Sequence, residues 1–325
     1  MDIMEFSLTK NFIRKQLIQF NSIISQFDLL DPSPQVTHLF NELLIFCCST
    51  PICSSKFERM LETDSVLKTV CENLRNLRSR YEYHLEIHSA KVYASNANRS
   101  LIEHFFDDGD YNRLIQLEID MLRNLGIQFP QNLPVNDKLN SVVTKIAFIG
   151  SGPIPVSSML ILTEHTPLVD IYNIDISHEA NQLASNVCKQ LLSSHLFERM
   201  HFITQDINQK PLPFHIESIL KQCQVIFLAA LVGTDDLAKL SILQNIVKHS
   251  KNESDQRLTQ HIIIRTTDGL RQVLYPKINL KTITKFQLAL DNDEQNNNNK
   301  ASLEIQAISS PQDHIPITII VAKII

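Results

Sequence analysis

Gly150-Ser151-Gly152 closes the β-branched apolar run KIAFI and leads through Pro153 and Pro155 into small and apolar residues, so a strand turns sharply toward a helix. With only six glycines in the chain, two at one strand end mark a backbone that needs positive φ or admits a ligand closely. The N–H groups that open the next helix can then meet ligand oxygens. The full dinucleotide fingerprint is missing, because its third glycine falls at Pro155, so a phosphate cradle has weak support and a ligand with little phosphate fits as well. Asp175 ends the next apolar run about 25 residues on, where an acid accepts ribose hydroxyls, and Asp206 ends the run HFITQD in the same manner. This arrangement suits an adenosine held without phosphate, of which S-adenosylmethionine is the commonest form. A nicotinamide or flavin nucleotide, or a turn that binds nothing, are the alternatives from pattern alone.

Other chemistry-bearing residues are spaced less specifically. Glu82 and Glu86 lie four apart on one helix face, as a carboxylate pair with divergent pKa values or as a solvated charged face. Arg265 and Arg271 flank TTDGL just past a strand, with the fork that fits an α-carboxylate, and Tyr275 follows one turn later; structural ion pairs are the plainer reading. His84 and His88 have metal-ligand spacing, but no third ligand is evident, so no metal site is expected.

The elements that must position these residues fall into two textures. Through about residue 128 apolar residues recur at three and four, as in FNELLIFC and YNRLIQLEIDML, which predicts helices. After the Pro-bearing IQFPQNLPVND come short β-branched runs separated by helical segments: KIAFIG, VDIYNID, MHFITQDI, QVIFLAAL, HIIIRTT and ITIIVAKII. The expected fold is α/β, a helical domain over residues 1–128 followed by a Rossmann-like, doubly wound, mostly parallel sheet over 129–325, with ligands at the carboxyl ends of the strands. The tract DNDEQNNNNK at 291–300 reads as an exposed loop.

Composition narrows the class. With 325 residues, 43% hydrophobic, the chain can bury a full core, and its net charge of -5 gives no field for nucleic acid. The charged start MDIMEFSLTKNFIRKQ fits neither a signal peptide nor a membrane span, and six cysteines without a CxxC pair read as core thiols, so a cytoplasmic protein is expected.

The segment IAFIGSGPIPVSS resembles the first strand and turn of the nicotianamine synthases, which read much like VAFIGSGPLPLTS. YNIDISHEANQLAS, VIFLAALVG and IIRTTDGLRQVLYP are similar to later motifs of that family, and EYHLEIHSAKV, YNRLIQLEIDML and the early DPSPQVTHLFNELLIFCCSTP to motifs of its helical half. The resemblance implies transfer of the 3-amino-3-carboxypropyl group of S-adenosylmethionine to an α-amino group, giving nicotianamine or a nicotianamine-like metallophore precursor, with S-adenosylmethionine as substrate and no metal required. It places Gly150, Ser151, Gly152, Pro153, Pro155, Asp175, Asp206, Ala229, Ala230 and Leu231 around S-adenosylmethionine. It makes Glu86, in the family's HLE motif, the base that deprotonates the amine, with Glu82 and Tyr111 beside it. Arg265, Asp268, Arg271 and Tyr275 are expected to bind substrate. Phe105, Phe106, Asp107 and Asp108 stand where the family usually has other tyrosines, and Asp268 replaces a common histidine, so the acceptor amine stays open. The number of transfers, closure of an azetidine ring and the assembly state, a homodimer included, also stay open. The rivals are a small-molecule methyltransferase and a non-catalytic binder of the same ligand.

Overall fold

Apolar residues at every third or fourth position give the first part of the chain its helices: α1 (Ile3–Ile24), α2 (Pro34–Ser49), α3 (Ser54–Thr63), α4 (Ser65–Ser95) and α5 (Gly109–Asn124). The computed structural model describes residues 3–95, 109–130, 142–233, 235–250, 260–278, 302–311 and 315–325. Phe105, Phe106, Asp107, Asp108, most of the Pro-bearing segment and the tract 291–300 lie outside the described residues. Ser33 starts α2 by accepting the Val36 N–H at 3.3 Å, and Pro34 fills the first helical position, where its missing N–H costs nothing. In α4 the stripe Leu67, Val70, Cys71, Leu74, Leu77 and Tyr81 is buried. Arg75, Arg78, Glu82 and Glu86, again spaced three and four apart, form a second stripe on the same helix. No single described helix is long and apolar enough to cross a membrane.

The second part supplies a seven-stranded sheet in the order β3-β2-β1-β4-β5-β7-β6. Its strands are β1 (Lys145–Ile149), β2 (Asp170–Asp175), β3 (Met200–Thr204), β4 (Val225–Leu228), β5 (Gln260–Thr266), β6 (Leu303–Ser309) and β7 (Thr318–Ile324). Strands β1 to β5 pair in parallel, while β7 runs antiparallel to both β5 and β6. Between them lie α6 (Val156–Leu160), which continues as the π turn Ile161–His165, then α7 (His178–Leu191), α8 (Ser194–Phe197), α9 (Phe214–Gln222) and α10 (Asp236–Ser250). A 3₁₀ turn, Gly269–Val273, follows β5.

Period-two alternation divides the sheet's apolar residues between two cores. Ile146, Phe148, Val225, Phe227 and Ile263 share a core with the buried stripes of α1, α2 and α4, so the helical region and one sheet face are joined by continuous apolar packing. Ala147, Ile149, Ile226, Leu228 and Ile264 face the other way, against Ile216 and Leu220 of α9 and Leu243, Ile246 and Val247 of α10. Edge strand β6 shows the expected half-exposed alternation instead. Since β1 has β2 on one side and β4 on the other, successive crossovers diverge there and open a cleft at the carboxyl ends of β1 and β4.

Candidate active site

Gly150 and Gly152 both have positive φ, 78° and 68°. A Cβ at Gly150 would meet Val232 Cγ2 at 2.2 Å, so space as well as backbone conformation requires glycine there; at Gly152 the backbone conformation requires it, and a Cβ would stand 2.8 Å from Glu86 Oε2 and push that carboxyl aside. The two glycine N–H groups of the turn are taken up by the protein itself. Gly150 N–H donates to Ile174 O at 2.8 Å and Gly152 N–H to Asp175 Oδ2 at 2.9 Å, which staples the turn to the end of β2. Ser151 differs: it is buried, and its Oγ has no partner among the described residues. Such an orphaned hydroxyl between two glycines of positive φ suits a bound ligand, so the residues present fit S-adenosylmethionine. Pro153 and Pro155 are buried behind it and lead into α6.

Asp175 Oδ1 also accepts the Ser177 N–H, at 2.9 Å. Each carboxylate oxygen has a second lone pair, so the half-buried Asp175 can still accept hydroxyl donors from a sugar. Asp206 is exposed at the end of β3, where its Oδ1 takes the Asn208 N–H at 2.8 Å and closes a tight turn. Ala229 follows β4 with its N–H on Ile149 O at 3.1 Å, so Ala229, Ala230 and Leu231 form the opposite bank of the cleft.

The second stripe of α4 roofs this turn. Glu86 brings its carboxyl against Gly152. It keeps partial solvent contact, yet desolvation, reinforced by the charges of Glu82 and then Asp175, pushes its pKa up to about 8. Glu82 has different company: it forms an ion pair with Arg78 and accepts the Tyr275 hydroxyl at 2.9 Å. Burial, and after it the charge of Glu82, raise the Tyr275 phenol well above its ordinary value, so it serves as a donor. Arg78 lies 5.9 Å from the Phe40 ring centre and 5.8 Å from that of Tyr81, with its Nε unpartnered among the described residues. Tyr111, near the start of α5, influences the ionisation of both Tyr275 and Arg265, which puts it in the same neighbourhood.

The structure does not bring the other expected substrate ligands to this point. Arg265 is buried, donating through Nε and Nη2 to Glu118 at 2.7 and 2.8 Å and through Nη1 to Ser157 Oγ at 3.0 Å. The sequence reading of Arg265 as a grip on a substrate carboxylate is therefore corrected: Glu118 already fills the fork, as a buried guanidinium requires. Arg271 Nη1 donates to Pro311 O at 2.7 Å, and Asp268 pairs with Lys277 at 3.3 Å, so both tie down the segment after β5. Only Tyr275 of that group reaches the carboxylates. Glu118 escaped the sequence reading, although it falls in line with the buried Leu114, Ile115, Ile119 and Leu122 of α5 and so had to be buried with a partner. Arg78 was missed too; its place one turn before Glu82 was the available signal. His84 lies 3.1 Å from Asp31, and among the described residues no three His, Cys, Asp or Glu side chains group to hold a metal.

A glycine turn and an acid at adjacent strand ends of a Rossmann-like sheet, roofed by a helix that presents a desolvated carboxyl, suit a protein of the S-adenosylmethionine-dependent transferase class. Comparison with known proteins narrows this. A family-level sequence model described as nicotianamine synthase protein matches residues 7–323. Nicotianamine synthase 2 of Arabidopsis thaliana is 30% identical over 280 residues, covering 86% of this chain and 78% of that protein. The nicotianamine synthase of Solanum lycopersicum is 28% identical over 281 residues, with the same coverages. MtNAS, solved in complex with MTA and tNA, superposes with a TM-score of 0.70 over 95% of this chain and 96% of its own, at 16% identity. A variant of MtNAS has been solved in complex with S-adenosylmethionine, with a TM-score of 0.67. The chain belongs to the nicotianamine synthase family.

Proposed function

We propose that the protein transfers the 3-amino-3-carboxypropyl group of S-adenosylmethionine to an α-amino group, making nicotianamine or a nicotianamine-like product. The observation that carries this reading is the Glu86 carboxyl lodged against the glycine turn, within reach of the charge of Asp175 and with a pKa of about 8. An α-ammonium group has a pKa of ~8, so the two are matched for proton transfer. The amine gives its proton to Glu86 and attacks Cγ of the donor's amino acid chain. The Cγ–S bond breaks, its electron pair stays on sulfur, and neutral 5'-methylthioadenosine leaves. All three carbons on the sulfonium are electrophilic, so outcome depends on alignment, and this reading requires that Cγ rather than the methyl carbon face the amine held at Glu86. Asp175 receives the ribose hydroxyls, the Ser151 hydroxyl meets a polar ligand atom, and Tyr275 with Arg78 fixes Glu82. Asp206 lies further out as a second contact toward the adenosine. Tyr111 serves to orient the amine.

A product carrying several amines and carboxylates would chelate divalent metal, hence the reading as a metallophore precursor. The six free thiols support a reducing compartment such as the cytoplasm. Mass spectrometry of products from S-adenosylmethionine alone, and with histidine or glutamate added, tests the proposal. Methylthioadenosine together with an aminocarboxypropylated amine is expected. S-adenosylhomocysteine with a methylated amine would reverse it in favour of a methyltransferase.

A further inference from the structure

Lys239 of α10 is fully buried, and among the described residues no acidic side chain sits on its amine. Its Nζ donates instead to two consecutive carbonyls, Ala229 O and Ala230 O, each at 2.6 Å. Gly233 makes this reach feasible: its φ of 87° turns the chain back onto α10, and a Cβ there would stand 2.6 Å from Lys239 N. Burial pushes the lysine's pKa down to about 7, and even the neutral amine has enough N–H bonds for both carbonyls.

The planar trans peptide turns this anchor into a statement about donors. Each C=O points opposite to the N–H of the residue that follows. With the carbonyls of Ala229 and Ala230 converging on one buried Nζ, the N–H groups of Ala230 and Leu231 point away from it, toward the half-exposed side of the loop. Neither N–H has a protein partner among the described residues, whereas the flanking Ala229 N–H and Val232 N–H are bonded, to Ile149 O at 3.1 Å and Ala229 O at 3.3 Å. The loop borders the glycine turn, since Val232 and Ala229 are the atoms a Cβ on Gly150 would strike. Successive free N–H groups on one side of a loop suit an anionic oxygen.

We propose that Lys239 is a positioning residue that holds the amides of Ala230 and Leu231 toward the cleft as a two-donor site for a ligand carboxylate. The proposal rests on the transferase reading above, in which both the donor and the acceptor amine carry an α-carboxylate. Lys239→Met keeps the apolar stem and releases both carbonyls, so the two peptides are free to turn.

Calorimetry with wild type and Lys239→Met separates the sources. S-adenosylhomocysteine carries the carboxylate without the reactive sulfonium, and methylthioadenosine lacks the carboxylate. If the site holds the donor's carboxylate, the variant loses about ten- to a hundredfold in affinity for S-adenosylhomocysteine and little for methylthioadenosine. If it holds the acceptor's, both affinities stay and the KM of an added amino acid acceptor, glutamate or histidine, rises at saturating S-adenosylmethionine. Equal losses for both nucleosides would mean a merely structural lysine, and unchanged affinities with unchanged KM would leave it no role; either result overturns the proposal. A wild type that binds neither nucleoside would instead defeat the transferase reading itself. Should the variant fail to fold, the wild type suffices: amide resonances of Ala230 and Leu231 should move with S-adenosylhomocysteine, or with the acceptor, and stay fixed with methylthioadenosine, and their indifference to every ligand refutes the site.

Discussion

Replacing Glu86 by glutamine should stabilise the protein in alkali while slowing its turnover. The amide keeps the shape of the carboxyl against Gly152 and removes its charge. In the unfolded chain this carboxyl titrates near ~4.3, but in the fold burial and the charges of Glu82 and Asp175 push it up to about 8. Between those values the folded state keeps a proton that the unfolded state has released, so stability falls as pH rises through the window. The loss is fully developed above the folded pKa, where it amounts to about 3 to 5 kcal/mol, and it is absent below the unfolded one. Glutamine has no such loss. Thermal unfolding of both proteins from roughly pH 4 to pH 9 reads the difference, in which titrating groups not coupled to Glu86 cancel. The melting temperatures should coincide in acid, separate from about pH 5 upward, and differ by several degrees at the alkaline end, with the variant the more stable. Its turnover should fall by about 10² to 10⁴, with a residual rate that climbs with pH as the free amine deprotonates on its own. Melting curves that stay parallel across the range would show that Glu86 ionises as an ordinary glutamate, and the case for it as a base matched to the amine would fail.

Three other substitutions probe the neighbouring groups. Asp175→Ala removes an acceptor for the ribose and should weaken S-adenosylmethionine binding about tenfold to a hundredfold, read by calorimetry; unchanged affinity in a folded protein would place the ribose elsewhere. Glu82→Gln keeps the Tyr275 hydrogen bond but deletes a charge that raises the Glu86 pKa, so the acid limb of kcat/KM should move to lower pH, and a limb that stays in place would deny the coupling. Glu118→Gln leaves the buried Arg265 without its counter-charge and should destabilise the fold by about 3 to 5 kcal/mol in a denaturant titration; a shift within error would mean that Arg265 is free to serve the substrate after all.

The fold was legible because its signals are periodic. Runs such as KIAFI and VIFL are buried strands that need no partner information beyond their own apolar character, and the three-and-four spacing of α4 and α5 required helices. The glycine turn was legible for a different reason: in a chain with six glycines, two separated by one residue at a strand end announce an unusual backbone. Hydrogen-bond direction was not. That Gly152 N–H serves Asp175 rather than a ligand depends on how β2 sits beside β1, a register that no local pattern carries. The partners of the arginines were hidden for a related reason. Arg265 and Arg271 had the right chemistry at the right edge of the sheet, but which acid or carbonyl fills a guanidinium fork is decided by elements remote in sequence, Glu118 in α5 and Pro311 beyond β6. Lys239 shows the limit most sharply, since a lysine opening a helix reads as a surface residue, and only the folded loop reveals the two carbonyls that bury it.

Glu82 and Glu86 are the same residue type one helical turn apart, and what separates their roles is their surroundings. Glu82 faces the segment after β5, which brings Tyr275 to it, and the preceding turn of α4 supplies Arg78. Glu86 faces the glycine turn, where the absent side chain of Gly152 leaves room for the carboxyl but brings no cation, and Asp175 stands beyond it. A helix delivers both because residues four apart point the same way while lying about 6 Å apart along its axis, far enough for each to meet a different loop of the sheet. Desolvation then acts on the glutamate without a counter-charge, and the charge of its partner adds to the effect. The pair thus yields one carboxylate tied into the structure and one that exchanges its proton near neutral pH, which is the division of labour that deprotonating an α-amine requires.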